Sequence, residues 1–176
     1  MKYADTLVGF SEVPGEISLC VNVSGCKIHC QGCHSQHLWE DIGTPLTRDE
    51  AYKLIKKNEG ITCFCLMGGD DEIEQVISIA QEVKSHNLKF AWYSGRETVH
   101  SLIYSYLKYF DFIKVGPYIE SKGPLNKKTT NQKFYEVVRE DYPIPEDFKG
   151  SEMDWFSEFY SHNLKDITYK FWENEN

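Results

Sequence analysis

The 176-residue chain is long enough for one domain with a sizeable core, and its 41% hydrophobic content is that of an ordinary globular protein. Its apolar runs are too short to span a bilayer, and Met1-Lys2-Tyr3-Ala4-Asp5 lacks the apolar stretch of a secretory signal, so the cytoplasm is the expected compartment. A formal net charge of −8 argues against nucleic acid as a partner, because phosphate contacts need clustered Lys and Arg.

In chain order, Ile17-Ser18-Leu19-Cys20-Val21-Asn22-Val23 alternates, with Ile17, Leu19, Val21 and Val23 on one face, and reads as a strand. Gly25 breaks it, and a loop bearing Cys26, Cys30 and Cys33 follows. Thr47-Arg48-Asp49-Glu50 is a capping box that opens a helix to about Lys57. Ile61 to Met67 is a β-prone run closed by Gly68-Gly69, and Ile73, Val76, Ile77, Ala80 and Val83 then recur at helical spacing to about His86. Lys89 to Tyr93 is a strand ended by Ser94-Gly95; Leu102, Ile103, Tyr106 and Leu107 suggest a helix; Phe112 to Val115 is a strand ended by Gly116-Pro117. Strands alternating with helices imply α/β architecture with a parallel sheet and right-handed crossovers. Ligands on such sheets bind at the carboxyl ends of the strands, where the glycine turns and the cysteine loop fall.

Residues 1–139 carry 16 Lys and Arg against 17 Asp and Glu, whereas residues 140–176 carry 3 against 10. The shift begins near Asp141-Tyr142-Pro143-Ile144-Pro145 and divides the chain into a main body, 1–139, and an acidic, aromatic extension, 140–176. Asp154 to Tyr160 spaces aromatics as one stripe of a short helix, which either packs on the body or docks to a partner.

Cys26, Cys30 and Cys33 form a C-x3-C-x2-C set within eight residues. Three thiolates fall one short of the usual four around a cubane cluster, leaving one iron open to a small molecule. With His34 or His37 the same residues fit a Cys3His zinc site, and they also fit simple packing. His29, His34 and His37 read individually as loop residues. Cys63 and Cys65 share one strand face; with Cys20 they are either buried core cysteines or a second metal site. Lys127-Lys128 reads as a solvated corner, and Asn131 and Gln132 as loop residues satisfying backbone.

C-x3-C-x2-C after the first strand resembles the signature of the radical S-adenosylmethionine (SAM) superfamily. Cys30-Gln31-Gly32-Cys33-His34, with Trp39 downstream, resembles the branch of activating proteins of anaerobic ribonucleoside-triphosphate reductase. Met67-Gly68-Gly69-Asp70 is similar to that family's Gly-Gly-Asp/Glu motif, Trp92-Tyr93-Ser94-Gly95 to its Tyr-Thr-Gly turn, and Asp111 to Tyr118 with Thr130-Asn131-Gln132 to its closing segment. Asp71 stands where the family more often has proline, and Lys114 where an acidic or neutral residue is expected.

The resemblance covers about residues 10–139 and implies a radical SAM core domain, a partial (βα) barrel, over residues 1–139. It implies that Cys26, Cys30 and Cys33 ligate a [4Fe–4S] cluster whose open iron SAM chelates. Gly68 and Gly69 would give close backbone approach, Asp70 or Asp71 would meet the SAM ammonium, and Gly32, Cys33 and His34 would border its adenosyl part; Tyr93, Ser94 and Gly95 are further candidates. The implied activity is reductive SAM cleavage that generates a glycyl radical on the large subunit of the reductase, with a flavodoxin or ferredoxin as electron donor and no membrane or nucleic-acid partner. The alternatives are a small radical SAM enzyme acting on a nucleobase-like metabolite and a non-catalytic, zinc-stabilised interaction module.

Overall fold

The computed structural model describes residues 1–138 and 163–172. In chain order its strands are β1 (Lys2–Gly9), β2 (Ser18–Val23), β3 (Thr44–Pro45), β4 (Cys63–Met67), β5 (Lys89–Tyr93), β6 (Phe112–Val115), β7 (Lys133–Val137) and β8 (Leu164–Asp166). Its helices are α1 (Arg48–Lys57), α2 (Ile73–Ser85) and α3 (Ser101–Tyr104). All eight strands join one sheet in the order β3-β1-β2-β4-β5-β6-β7-β8.

The four central strands, β2, β4, β5 and β6, run parallel, as the alternation of strands and helices predicts. The sheet is nevertheless mixed. β1 and β3 are antiparallel on one flank, and β7 and β8 are antiparallel on the other. The helix suggested by Leu102 to Leu107 is a single turn, α3, followed by a 3-10 turn at Leu107–Tyr109.

One face of the sheet carries Leu19, Val21, Phe64, Leu66, Phe90, Trp92 and Ile113, packed under Leu54 of α1 and Val76, Ile79, Ala80 and Val83 of α2. Each such side chain taken fully from water contributes about 1.5–3 kcal/mol before entropy is counted. Thr47 Oγ accepts the Glu50 amide at 3.2 Å and so starts α1. Only this arm of the capping box forms, because the Glu50 carboxylate accepts the Tyr3 hydroxyl at 2.9 Å instead. The C-terminal turn of α2 is tied to the sheet by Lys84, whose ammonium lies 2.8 Å from Asp111, and Asp111 also accepts the Phe90 amide at 2.8 Å.

The second face holds Cys20, Cys63, Cys65, Ala91, Phe112 and Phe134. Beyond β8, Ile167 and Phe171 pack against it. Ile167 is fully buried, Phe171 meets Phe134 edge-on at 4.9 Å, and Thr168 Oγ accepts the Phe134 amide at 2.9 Å. The aromatic stripe Asp154 to Tyr160 lies outside the described residues. Among the described residues, no helix is long and apolar enough to cross a membrane.

Candidate metal and cofactor site

The parallel strands all point their carboxyl ends the same way, so the loops after Val23, Met67, Tyr93 and Val115 gather at one edge of the sheet. The cysteine loop is the longest of them. A backbone clasp closes its neck: Gly25 N–H donates to Glu40 O at 3.0 Å and Cys26 N–H to Leu38 O at 2.9 Å. Below the clasp, Ser24 Oγ–H donates to Ile42 O at 2.6 Å. Within the loop the chain reverses through left-handed residues at His29 (φ 49°) and Gly32 (φ 75°). His29 stacks on Trp39 with ring centres 4.6 Å apart, and the Cys33 amide bonds Cys30 O at 3.1 Å.

Cys26, Cys30 and Cys33 are half-buried free thiols. They line a cavity of about 150 Å³ together with Met67, Gly68, Asp70, Tyr93, Ser94, Gly95 and Lys114. Ser35 N–H points to Cys33 Sγ at 3.4 Å. Asp70 is the anionic wall. Its carboxylate is buried and accepts Ser94 Oγ–H at 2.5 Å and Gly95 N–H at 3.1 Å, so the glycine turn after β5 orients the acid of the turn after β4. A carboxylate has about four acceptor sites, so two remain for a donor in the cavity. Tyr93 lends its ring to the wall, while its hydroxyl donates to Glu12 O on the second face.

Gly68 takes φ +112° and lies so near Val23 that an added Cβ would come within 3.1 Å of that side chain. Trp92 Nε1–H fixes the Gly68 carbonyl at 2.8 Å. Gly69 faces α2 instead: its Cβ would meet Val76 at 3.0 Å. Asp71 is turned to the surface, 3.2 Å from the Arg96 guanidinium and 3.8 Å from the Lys27 ammonium. Gly32 faces Glu120, and His34 is exposed with its ring 5.3 Å from that of Tyr118. Of the sequence candidates, the cavity therefore gathers Cys26, Cys30, Cys33, Gly68, Asp70, Tyr93, Ser94 and Gly95, and it does not include Gly32, His34, Gly69 or Asp71.

Two contributors are not among the site candidates of the sequence. Arg96 donates to the Asp70 carbonyl at 2.9 Å, and no sequence signal marks it. Lys114 lines the cavity from the second face; the sequence marks it only as a departure from the family pattern, a charge inside an apolar strand.

Among the described residues, no three His, Cys, Asp or Glu side chains converge on one metal-ion position. Zinc requires that convergence, with each thiolate about 2.3 Å from a single point, whereas in a cubane each thiolate takes a different iron. The loop histidines are engaged elsewhere: His29 with Trp39, His34 with Tyr118, and His37 with Asp5 at 3.8 Å. Three free thiols lining one cavity beside an oriented carboxylate fit a cluster with one open iron. Cys20, Cys63 and Cys65 are fully buried. Burial pushes the Cys63 and Cys65 thiols well up, so they remain protonated core residues. Lys127 and Lys128 are exposed, and Asn131 Nδ2 satisfies Pro117 O at 2.9 Å.

Residues 13–138, the greater part of the chain, match the 4Fe-4S single cluster domain family, and the chain belongs to that family. It is an iron–sulfur protein. No curated protein and no solved structure gives a significant match.

Proposed function

We propose that this protein is a radical SAM activase that generates a glycyl radical on the large subunit of an anaerobic ribonucleoside-triphosphate reductase. One observation carries the reading: three half-buried thiols, spaced C-x3-C-x2-C, share a cavity with the oriented carboxylate of Asp70. A family with a single 4Fe-4S cluster supports the cluster, and the three thiols leave one iron for a chelating amino acid. The four parallel strands, with their turns ranged around the cavity, support a partial (βα) barrel of the radical SAM type.

A cluster held by Cys26, Cys30 and Cys33 would supply the single electron that reductive SAM cleavage needs, the chemistry from which hydrogen abstraction at a glycine Cα would follow. The protein binds, orients and excludes water. Cys26, Cys30 and Cys33 hold the cluster. Asp70, locked by Ser94 and Gly95, accepts the ammonium of SAM with its remaining lone pairs. Gly68 keeps the wall thin enough for close approach. The ring of Tyr93 and the side chains of Met67 and Ile28 supply apolar lining. A flavodoxin or ferredoxin is the matching one-electron donor, and the cytoplasm the matching compartment.

The test is anaerobic reconstitution followed by dithionite and SAM. The activase reading requires four irons per chain, 5′-deoxyadenosine and, with the reductase subunit added, a glycyl-radical doublet in electron paramagnetic resonance. Stoichiometric zinc would sink it. A second reading has its own observation: a cavity of about 460 Å³ lies between residues 28–31 and 117–121, beside Cys30, and is of small-molecule size. It favours a nucleobase-like metabolite as the hydrogen donor; 5′-deoxyadenosine without a glycyl radical on the reductase would select it.

A further inference from the structure

Lys114 is a charged residue on β6, one of the four parallel strands, in register with Tyr93 of β5 and Phe134 of β7. It is 8% exposed. A buried ammonium is costly unless its donors are met and its charge is answered. Two donors are met: Nζ donates to Gly116 O at 2.5 Å and to Ser94 O at 3.4 Å. A lysine has three, so one remains. Among the described residues no carboxylate forms an ion pair with it; the groups that counter the effect of its burial are Cys30 and Asp70, both on the same cavity. Burial brings its pKa down to about 8, which leaves it cationic at neutral pH.

We infer that Lys114 is a positioning residue for charge, whose buried ammonium answers the electron gained by a cluster on Cys26, Cys30 and Cys33 and thereby raises the cluster's reduction potential. Three thiolates around a [4Fe–4S]²⁺ core leave one negative charge, and reduction to [4Fe–4S]⁺ makes it two. A low-potential one-electron donor of the flavodoxin, ferredoxin or dithionite class gives up that electron and is itself oxidised; no bond forms or breaks and no proton is transferred. Net charge and burial are among the levers that set such potentials, and a fixed cation in a dry wall acts on both. This inference rests on the cluster and not on the SAM reading.

The experiment therefore omits SAM. Wild type, Lys114→Gln, Lys114→Met and Lys114→Arg are reconstituted anaerobically, assayed for iron and sulfide, and titrated with dithionite while the reduced cluster is followed by electron paramagnetic resonance. Gln keeps a donor for the carbonyls without the charge, and Met fills the site without either. At the wild-type midpoint both neutral variants should show a ratio of reduced to oxidised cluster about tenfold lower, a downward shift of about 59 mV for one electron. Lys114→Arg should stay at the wild-type potential. Equal potentials in wild type and a neutral variant with a full cluster overturn the proposal. So does failure of both neutral chains to hold a cluster while Lys114→Arg holds one, which assigns the residue to the turn instead. Absence of iron from the wild type would defeat the cluster reading itself and is seen before any titration.

Discussion

Ser94 donates its hydroxyl proton to Asp70 at 2.5 Å, linking the turns that end two neighbouring parallel strands. The Asp70 carboxylate is thereby aimed before any ligand arrives. Ser94→Ala should keep the cluster, by iron content and absorbance, yet bind SAM about tenfold or more weakly, because a hydrogen bond to a charged group is worth about 1.5–3 kcal/mol. Anaerobic equilibrium dialysis measures it. Unchanged affinity would remove Asp70 from the SAM site.

The cysteines divide into two groups with different expected phenotypes. Replacing Cys26, Cys30 or Cys33 by Ala should abolish SAM cleavage, because two thiolates cannot hold the cubane. Replacing buried Cys20, Cys63 or Cys65 should cost stability on the order of 1 kcal/mol, as a small core truncation does, with the cluster retained. A Cys63→Ala chain that melts normally but no longer cleaves SAM contradicts this division.

Gly69→Val should act through the fold and not by filling the cavity. Its φ of +85° disfavours a β-branched residue, and the new Cβ would press Val76 of α2 at 3.0 Å. Thermal denaturation should show a lower midpoint, whereas SAM affinity of the surviving folded chain stays within a few-fold of wild type. Loss of SAM binding at unchanged stability would return Gly69 to the site.

Glu82 makes an acid-sensitive contact. Its carboxylate lies 3.0 Å from His86 Nε2 and accepts Arg48 Nη2 at 2.9 Å, and the His86 bond above all holds its pKa below the ordinary carboxylate value. The stability it contributes is complete above the unfolded value of about 4.3 and is lost as pH falls through the lowered folded value. Urea melts should find Glu82→Gln less stable than wild type at pH 7, with the two curves converging near pH 3. A constant gap at both pH values would mean that the carboxylate charge contributes nothing.

A chain ending near Arg139 loses β8, Ile167 and Phe171. Ile167 is fully buried, so its removal alone uncovers a core side chain worth about 2–5 kcal/mol. Differential scanning calorimetry should show a marked fall in midpoint, or the truncated chain should be insoluble. Full stability together with poor activation of the reductase would instead favour docking.

The central strands were legible because each has both faces buried, so apolar residues are concentrated there and glycine turns end them: β5 and β6 occupy the residues the pattern assigns. α2 was legible from Ile73, Val76, Ile77, Ala80 and Val83, all of which are buried. The flanks were not. β1 reads Lys-Tyr-Ala-Asp-Thr-Leu-Val-Gly, and its Leu7 and Val8 are both about half exposed, so no alternation marks it. β8 is three residues long, and only its partner β7 defines it. Within the site, the spacing of Cys26, Cys30 and Cys33 carries its chemistry in the sequence, because one loop supplies all three. The Ser94–Asp70 bond and the turning of Asp71 to Arg96 depend on which turn faces which across the sheet, and a linear pattern does not contain that.

The clasp of Gly25 and Cys26 on Glu40 and Leu38 is made of backbone N–H and C=O groups alone, none of which is a cluster ligand. In a zinc finger the metal provides the folding energy, and chelation unravels the domain. Here the socket is built by the sheet edge and its own loop. Oxygen that destroys the inorganic core should therefore leave an intact, refillable apoprotein, so that inactivation in air is a matter of repair and not of resynthesis.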